Sequence, residues 1–393
     1  MIMPDSTRKG ILKNIRFFDY GILITTLALV IFGCIMVYSS SLTIAIAKEV
    51  PPYYFFSKQI KFAVIGIFVF FFFANFNYRF FYREKVQYWM VIISLASLVA
   101  VLLFAKEING SKSWLFGIQP AEFCKIALIL YLARCYSSKK TDTPLTTNQL
   151  FKPLVIFGFY IITIIAEPDV GMSLMYAGIT LFLIAGSGLE FKKLAKLYAG
   201  FILIVGFVYI LVINIPQMFI SVLGQNRANR LISFADPFQY EGTTGHQVIN
   251  SYYAIGSGGF FGQGLGNSVQ KLGYLPEAHT DFIIAVVAEE LGFMGVAFVI
   301  LGLGYLIYRC IRVGLESTDS FATLICYGVV SWLFVQTAIN LGGATGLMPL
   351  TGVALPFISA GGSSLIALLI PLGIVTNISM KNKRRRLEQT TNS

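Results

Sequence analysis

The segment Leu275-Pro276-Glu277-Ala278-His279-Thr280-Asp281 gathers groups that can move a proton. Both histidines of the protein, His246 and His279, fall between residues 216 and 281, with the acids Asp236, Glu241, Glu277 and Asp281. Asp281 stands where this polar stretch meets a long apolar run, which places its carboxylate at a membrane surface or just inside it. A carboxylate is costly there without a partner or a task. One task is general-base removal of a proton from a hydroxyl. Another is capping the following helix, with Asp281 or Thr280 accepting from its unpaired N–H groups. The two roles do not exclude each other.

Other polar residues stand out because their surroundings are apolar. Glu289 and Glu290 lie two turns further into the same apolar run; one reading makes them partners of a buried base or hydroxyl, the other the wall of a cavity. Glu122 and Lys125, at i and i+3, can meet on one helix face, either as a neutralised pair or as the lining of a polar cavity. Trp114, in Asn109-Gly110-Ser111-Lys112-Ser113-Trp114, is either an interfacial anchor or a platform for a sugar or lipid headgroup. Lys112, Arg227, Arg230 and Lys271 are basic residues on the side of the chain where few are found. Together they suit an anionic ligand such as a pyrophosphate; singly, each is accounted for by solvation. The run from Pro349 to Ser364 sets Pro, Gly and Ser, Ser363 among them, at the mouth of the last apolar segment, a broken helix start of the kind tolerated where it lines protein or a cavity. Gly262-Gln263-Gly264-Leu265-Gly266 has the look of a dinucleotide fingerprint, but no strand precedes it. Its glycines fit tight turns and close backbone approach to a ligand or the membrane.

The elements that must position these groups are membrane helices. The chain has 393 residues, 56% hydrophobic and 12% charged, with 35 Phe and 20 Tyr. That composition excludes a soluble enzyme with an anchor. Ten apolar segments are expected to span: 20–42, 59–75, 86–105, 120–136, 153–167, 170–188, 197–215, 282–307, 321–340 and 356–379. Glu167-Pro168-Asp169 splits one long apolar stretch and makes either a tight turn or a re-entrant break. The net charge of +11 does not point to nucleic acid, because the basic residues lie in short loops. Most of them fall at the N-terminus, at 79–85, 134–152, 192–196 and 309–312, and at 381–386. The positive-inside rule therefore sets both termini in the cytoplasm. The expected architecture is all-α and polytopic. A cytoplasmic segment covers 1–19 and a transmembrane domain 20–380, with one long extracellular loop, 216–281, between helices 7 and 8. A basic tail over 381–393 is expected to be a disordered tether near anionic lipid. No cleavable signal peptide is expected. The cysteines, at 34, 124, 135, 310 and 326, have no metal-like spacing and read as free thiols.

Several separated motifs together resemble the SEDS family of polytopic cell-wall proteins, with its FtsW, RodA and SpoVE branches. They are NGSKSW with QPAEFCK (109–125), EPDVG (167–171), RLISFADPF (230–238), GQGLGNSVQKLGYLPEAHTDFIIAVVAEELG (262–292) and LPFISAGGSS (355–364). The spelling of the fourth is nearest the FtsW branch. SKSW replaces a more basic triplet before Trp in many members, and Ala360 stands where an aromatic is common. The resemblance implies a peptidoglycan glycosyltransferase that polymerises lipid II at the outer face of the cytoplasmic membrane, with division-septum synthesis as its setting. It implies a class B penicillin-binding protein and other divisome membrane proteins as partners, and no nucleic acid. The family's essential loop acid falls on Asp281 and its loop tryptophan on Trp114. Lys112, Arg227, Arg230, Glu122, Lys125, His279 and Ser363 are expected to bind substrate. A divalent cation, Mg or Mn, is one way to neutralise a departing pyrophosphate, and Asp281 is then either base or metal ligand. Two other readings are a lipid II flippase gated by Glu122, Glu167, Asp169, Glu289 and Glu290, and a non-catalytic scaffold for the penicillin-binding protein.

Overall fold

The computed structural model describes residues 16–105, 113–137, 147–215, 234, 237–240 and 245–391. Lys112, Arg227, Arg230, Asp236 and Glu241 lie outside them. The described chain is almost wholly helical: α1 Tyr20–Ala47, α2 Tyr54–Asn75, α3 Glu84–Phe104, α4 Pro120–Ser137, α5 Thr147–Ala166, α6 Val170–Gly186, α7 Phe191–Asn214, α8 Gly245–Gly258, α9 Ile283–Leu315, α10 Ser320–Ala344 and α11 Gly362–Thr391. All but α8 coincide with the apolar segments of the sequence. Eight are long and apolar enough to cross a membrane: α1, α2, α3, α5, α7, α9, α10 and α11. The polar residues Glu122, Lys125 and Arg134 lie on α4, and α6 has 17 residues. The chain is a multi-pass membrane protein.

Acids, one of them the fully buried Asp19, start three of the helices. Asp19 accepts from Ile22 N at 3.3 Å, Asp169 from Met172 N at 2.9 Å and Asp319 from Phe321 N at 3.1 Å. Each satisfies an N–H that the helix leaves unpaired. Side-chain bonds show which helix ends share one end of the bundle. Asp19, before α1, takes Arg309 of α9 and Ser379 of α11, each at 2.7 Å. Asp319, before α10, takes Tyr78, just after α2, at 2.9 Å. At the opposite end Gln119, before α4, donates its N–H to Ser363 of α11 at 3.1 Å. The starts of α9 and α11 and the α5–α6 turn lie there too.

The core is built on α9, α10 and α11. The apolar window of α11 is 83% buried and that of α7 not at all, so α7 stands at the periphery. α2 lies closely along α11 because Gly66 and Gly373 leave room: a Cβ at Gly373 would meet Phe70 O at 2.5 Å. The five cysteines are free thiols.

Three features depart from the sequence reading. First, the stretch 216–281 is more than a loop, since it contains α8, which lies along α9 and is tied to α10 by Ser251 Oγ donating to Ala344 O at 2.7 Å. Second, α9 is broken at Gly292 (φ 65°, ψ −159°). The two helical bonds missing at the break would run from Phe293 N to Glu289 O and from Met294 N to Glu290 O. Both halves are replaced by the segment after α8. Gln263 N and Gly264 N donate to Glu289 O and Glu290 O, each at 2.9 Å; Phe293 N and Met294 N donate to Gly259 O and Phe260 O at 3.0 and 3.3 Å. A Cβ at Gly258 would overlap Ala288 O, and one at Gly262 would overlap Glu290 O. Of the motif's glycines, Gly262 gives the close backbone approach, and it is to α9, while Gly264 and Gly266 hold the positive φ of tight turns. Third, the basic tail is not a disordered tether: α11 continues as helix to Thr391, with Arg386 3.6 Å from Glu316. Basic side chains there find acids on neighbouring helices, which offsets the ordering cost.

Candidate active site

Asp281 lies in the turn just before α9 and is half-buried. The cap position belongs to Phe282, which makes no side-chain cap bond. The Thr280 hydroxyl is turned to the Glu277 carboxylate at 2.7 Å. What is fixed here is the main chain. Three successive carbonyls are held, two by a facing wall and one by α10: His279 O accepts from Ala360 N at 2.9 Å, Thr280 O from Ser359 Oγ at 2.6 Å, and Asp281 O from Asn340 Nδ2 at 2.9 Å.

The wall is the run Leu355–Gly361, which folds against α1 where Gly33 has no side chain; a Cβ there would overlap Phe357 O. Phe357 sits at φ 64°, a conformation few non-glycine residues adopt. Buried amides hold this run. Gln59 of α2 donates to Ser359 O at 3.3 Å and accepts from Gly361 N at 3.4 Å. Gln336 of α10 donates to Ala354 O at 2.8 Å, and Trp332 Nε1 donates to Gln336 Oε1 at 2.6 Å. Asn340 joins Asp281 O to Val353 O, both at 2.9 Å. The LPFISAGGSS motif is thus the anvil on which the acid loop rests.

Trp114 belongs to the same end of the bundle. It is 38% exposed, in a tight turn closed by Leu115 N donating to Ile118 O at 2.9 Å. Ser113 Oγ lies 3.5 Å from Asp169 Oδ2. Two residues beyond Asp169, Gly171 admits the 351–353 segment closely, a Cβ there meeting Thr351 O at 2.7 Å. A chain of contacts therefore runs from Ser113, the neighbour of Trp114, through Asp169, Gly171, Val353 and Asn340 to Asp281.

The other sequence candidates divide. Glu122 and Lys125 are buried and 2.8 Å apart, with the Lys125 ammonium 4.3 Å from the centre of the Trp332 ring, so they form the neutralised pair. Ser363 is buried, its hydroxyl accepting from Gln119 N. His279 stands edge-on to Phe55, ring centres 5.1 Å apart. Burial pushes its pKa below the ordinary value, with the Glu277 carboxylate pulling the other way. Lys271 does not join an anion site: it is buried, with its ammonium 2.5 Å from Glu290 and 3.0 Å from Ser39 Oγ. Its acid lies on α9, out of reach of a sequence argument. Glu290 also accepts from Ser39, and Glu289 from Ser268 Oγ and, at 2.8 Å, from Val269 N. Both glutamates are partners of buried donors, not a cavity wall. Among the described residues no three His, Cys, Asp or Glu side chains gather as a metal-binding group, so that donor set does not fit a cation held by protein alone. Sequence reasoning missed Asn340, Ser359, Gln59 and Gln336; the available signal was amides in otherwise apolar helices, as in Gln336-Thr337-Ala338-Ile339-Asn340.

A family model for the FtsW, RodA and SpoVE proteins, described as cell cycle protein, matches residues 20–384. The chain belongs to this family. Among its curated FtsW/RodA/SpoVE relatives is the probable peptidoglycan glycosyltransferase FtsW of Bacillus subtilis, 39% identical over 387 residues and covering 95% of this chain and 94% of that protein. Stage V sporulation protein E of the same organism is 37% identical over 366 residues, covering 92% and 96%. Among solved structures, a chain from a peptidoglycan synthase complex that coordinates polymerization and crosslinking superposes with a TM-score of 0.70 at 26% identity, covering 92% of this chain and 97% of that one. The rod shape determining protein RodA of Thermus thermophilus gives 0.65 at 25% identity, covering 92% and 96%.

Proposed function

We propose that this chain is a peptidoglycan glycosyltransferase that polymerises lipid II at the outer face of the cytoplasmic membrane, in septal wall synthesis. Both chain ends are cytoplasmic, and the end of the bundle carrying Asp281 and Trp114 faces outward. The observation that carries the reading is Asp281 itself: a half-buried carboxylate at a membrane-helix mouth, on a main chain held by three successive bonds. That is the preorganisation a general base needs.

The donor sugar is α-linked through pyrophosphate to a polyprenyl chain, and the product bond is β-1,4, so one inverting displacement suffices. Asp281 takes the proton of the acceptor hydroxyl as its oxygen bonds to the anomeric carbon. The bond from that carbon to the pyrophosphate oxygen breaks, and the polyprenyl pyrophosphate leaves with the electron pair. Lys112, Arg227 and Arg230 are the basic residues proposed to meet its growing charge. Trp114 offers a partly exposed ring on which a sugar can stack. Lipid tails lie against the exposed apolar helices. A class B penicillin-binding protein supplies crosslinking, with other division membrane proteins around it. The flippase reading loses support because Glu122, Glu289 and Glu290 are engaged in internal bonds.

The test is glycan-chain formation from purified lipid II by the protein with its cognate penicillin-binding protein. Polymer from wild type and none from a folded, partner-bound Asp281→Asn variant is the expected result. Equal polymer from both would remove Asp281 from the chemistry.

A further inference from the structure

The bonds that hold the acid loop come from residues far away in sequence and outside the motif that contains Asp281. Asn340 lies on α10 and is buried, as is Ser359. Asn340 Nδ2 donates to Asp281 O, and Ser359 Oγ donates to the carbonyl one residue earlier. Each side chain is itself pinned. Asn340 Nδ2 also reaches Val353 O, and Ser359 Oγ accepts from Leu355 N at 2.8 Å. Two donors on successive carbonyls fix the tilt of both peptide planes, and with them the direction in which the Asp281 Cα–Cβ bond leaves the chain. The third bond, Ala360 N to His279 O, comes from backbone and does not use the side chains of Asn340 or Ser359.

We infer that Asn340 and Ser359 are positioning residues for the transfer reaction, aiming the Asp281 carboxylate through its own main chain. This rests on the reading of Asp281 as the acting carboxylate. Neither residue needs to touch substrate. Losing either donor frees one peptide plane to rotate and moves the carboxylate by a fraction of its reach, which for a proton-transfer group costs turnover rather than binding. A misplacement of about 1 Å lowers a rate by as much as about a hundredfold.

The experiment measures lipid II polymerisation by the full chain with its penicillin-binding protein, comparing wild type, Asn340→Ala, Ser359→Ala, Ser359→Thr and Asp281→Asn. Thermal unfolding and partner binding are followed in parallel, and kcat and KM over pH 5 to 9. The expected result is a fall in kcat of about ten- to a hundredfold for Asn340→Ala and Ser359→Ala, with KM within about twofold, a displaced midpoint on the acidic limb of the kcat profile, and recovery in Ser359→Thr, which keeps the hydroxyl. A merely structural role lowers the folded fraction and scales the whole profile without moving its midpoint. Should Asn340→Ala not fold, the two Ser359 variants decide alone. Wild-type kcat in folded Ser359→Ala, or a loss that only tracks folded fraction, overturns the inference while an inactive Asp281→Asn leaves the reading of Asp281 standing. A fully active Asp281→Asn overturns that reading itself.

Discussion

Two acidic sites share the start of α9, about two turns apart, and the protein treats them in opposite ways. At Glu289 and Glu290 the side chains are consumed. Ser268, Ser39, Lys271 and the backbone of residue 269 surround them, and the helix breaks just beyond at Gly292. At Asp281 the main chain is consumed, and the side chain stays half-exposed at the helix mouth. Burial with full pairing makes an acid part of the frame, because a lone buried charge is intolerable and a paired one is inert. Holding the backbone instead fixes where a half-buried carboxylate leaves the chain without drawing it into the core. The difference separates an acid built into the frame from the one proposed to do chemistry, although both stand at the start of the same helix.

The largest effect expected of any single change is Asp281→Asn, a loss of polymerisation of about 10²- to 10⁴-fold, with the thermal midpoint near wild type. A large loss of stability would instead place Asp281 with the structural acids. Lys271→Met should do the reverse. Leaving Glu290 buried without its cation costs about 3–5 kcal/mol, read as thermal unfolding in detergent, and the double change Lys271→Met with Glu290→Gln should recover most of it. Gly292→Ala tests the break between the two sites. The forced positive φ costs about 1–3 kcal/mol, and a Cβ there meets Phe260 O at 2.6 Å. A neutral outcome would mean that the exchange of bonds with residues 259–264 is dispensable. Trp114→Ala, at a partly exposed position, should raise KM for lipid II about tenfold, roughly 1.4 kcal/mol, with stability unchanged. The smallest effect concerns His279. Its folded pKa lies below its unfolded value of about 6.5, so the neutral ring's contribution is complete above that value and is lost as pH falls towards the folded pKa. Thermal stability should therefore decline below about pH 6.5, and His279→Phe should flatten the decline.

Much of the bundle was legible because a membrane helix advertises itself by a long apolar run. The positions of α1 to α7 and α9 to α11 follow from such runs, as does the Glu122–Lys125 pair from its i, i+3 spacing. α8 was not legible, since its 14 residues mix polar and apolar side chains and are helical by lying along α9. Nor was the fate of Lys271, which local sequence shows only as a loop cation. The site was half legible. Asp281 and Trp114 announce themselves as polar or aromatic groups at apolar boundaries, whereas Asn340 and Ser359 act on carbonyls some sixty to eighty residues away.

The sequence by itself determined that this chain crosses the membrane repeatedly and that an acid stands at one helix mouth, because both are statements about local polarity and length. Only the tertiary structure decided which acids are buried among donors in the core and which one is held through its main chain at a half-exposed helix mouth. Pairing and backbone clamping depend on groups brought together by helix packing, and a one-dimensional pattern carries no record of that meeting.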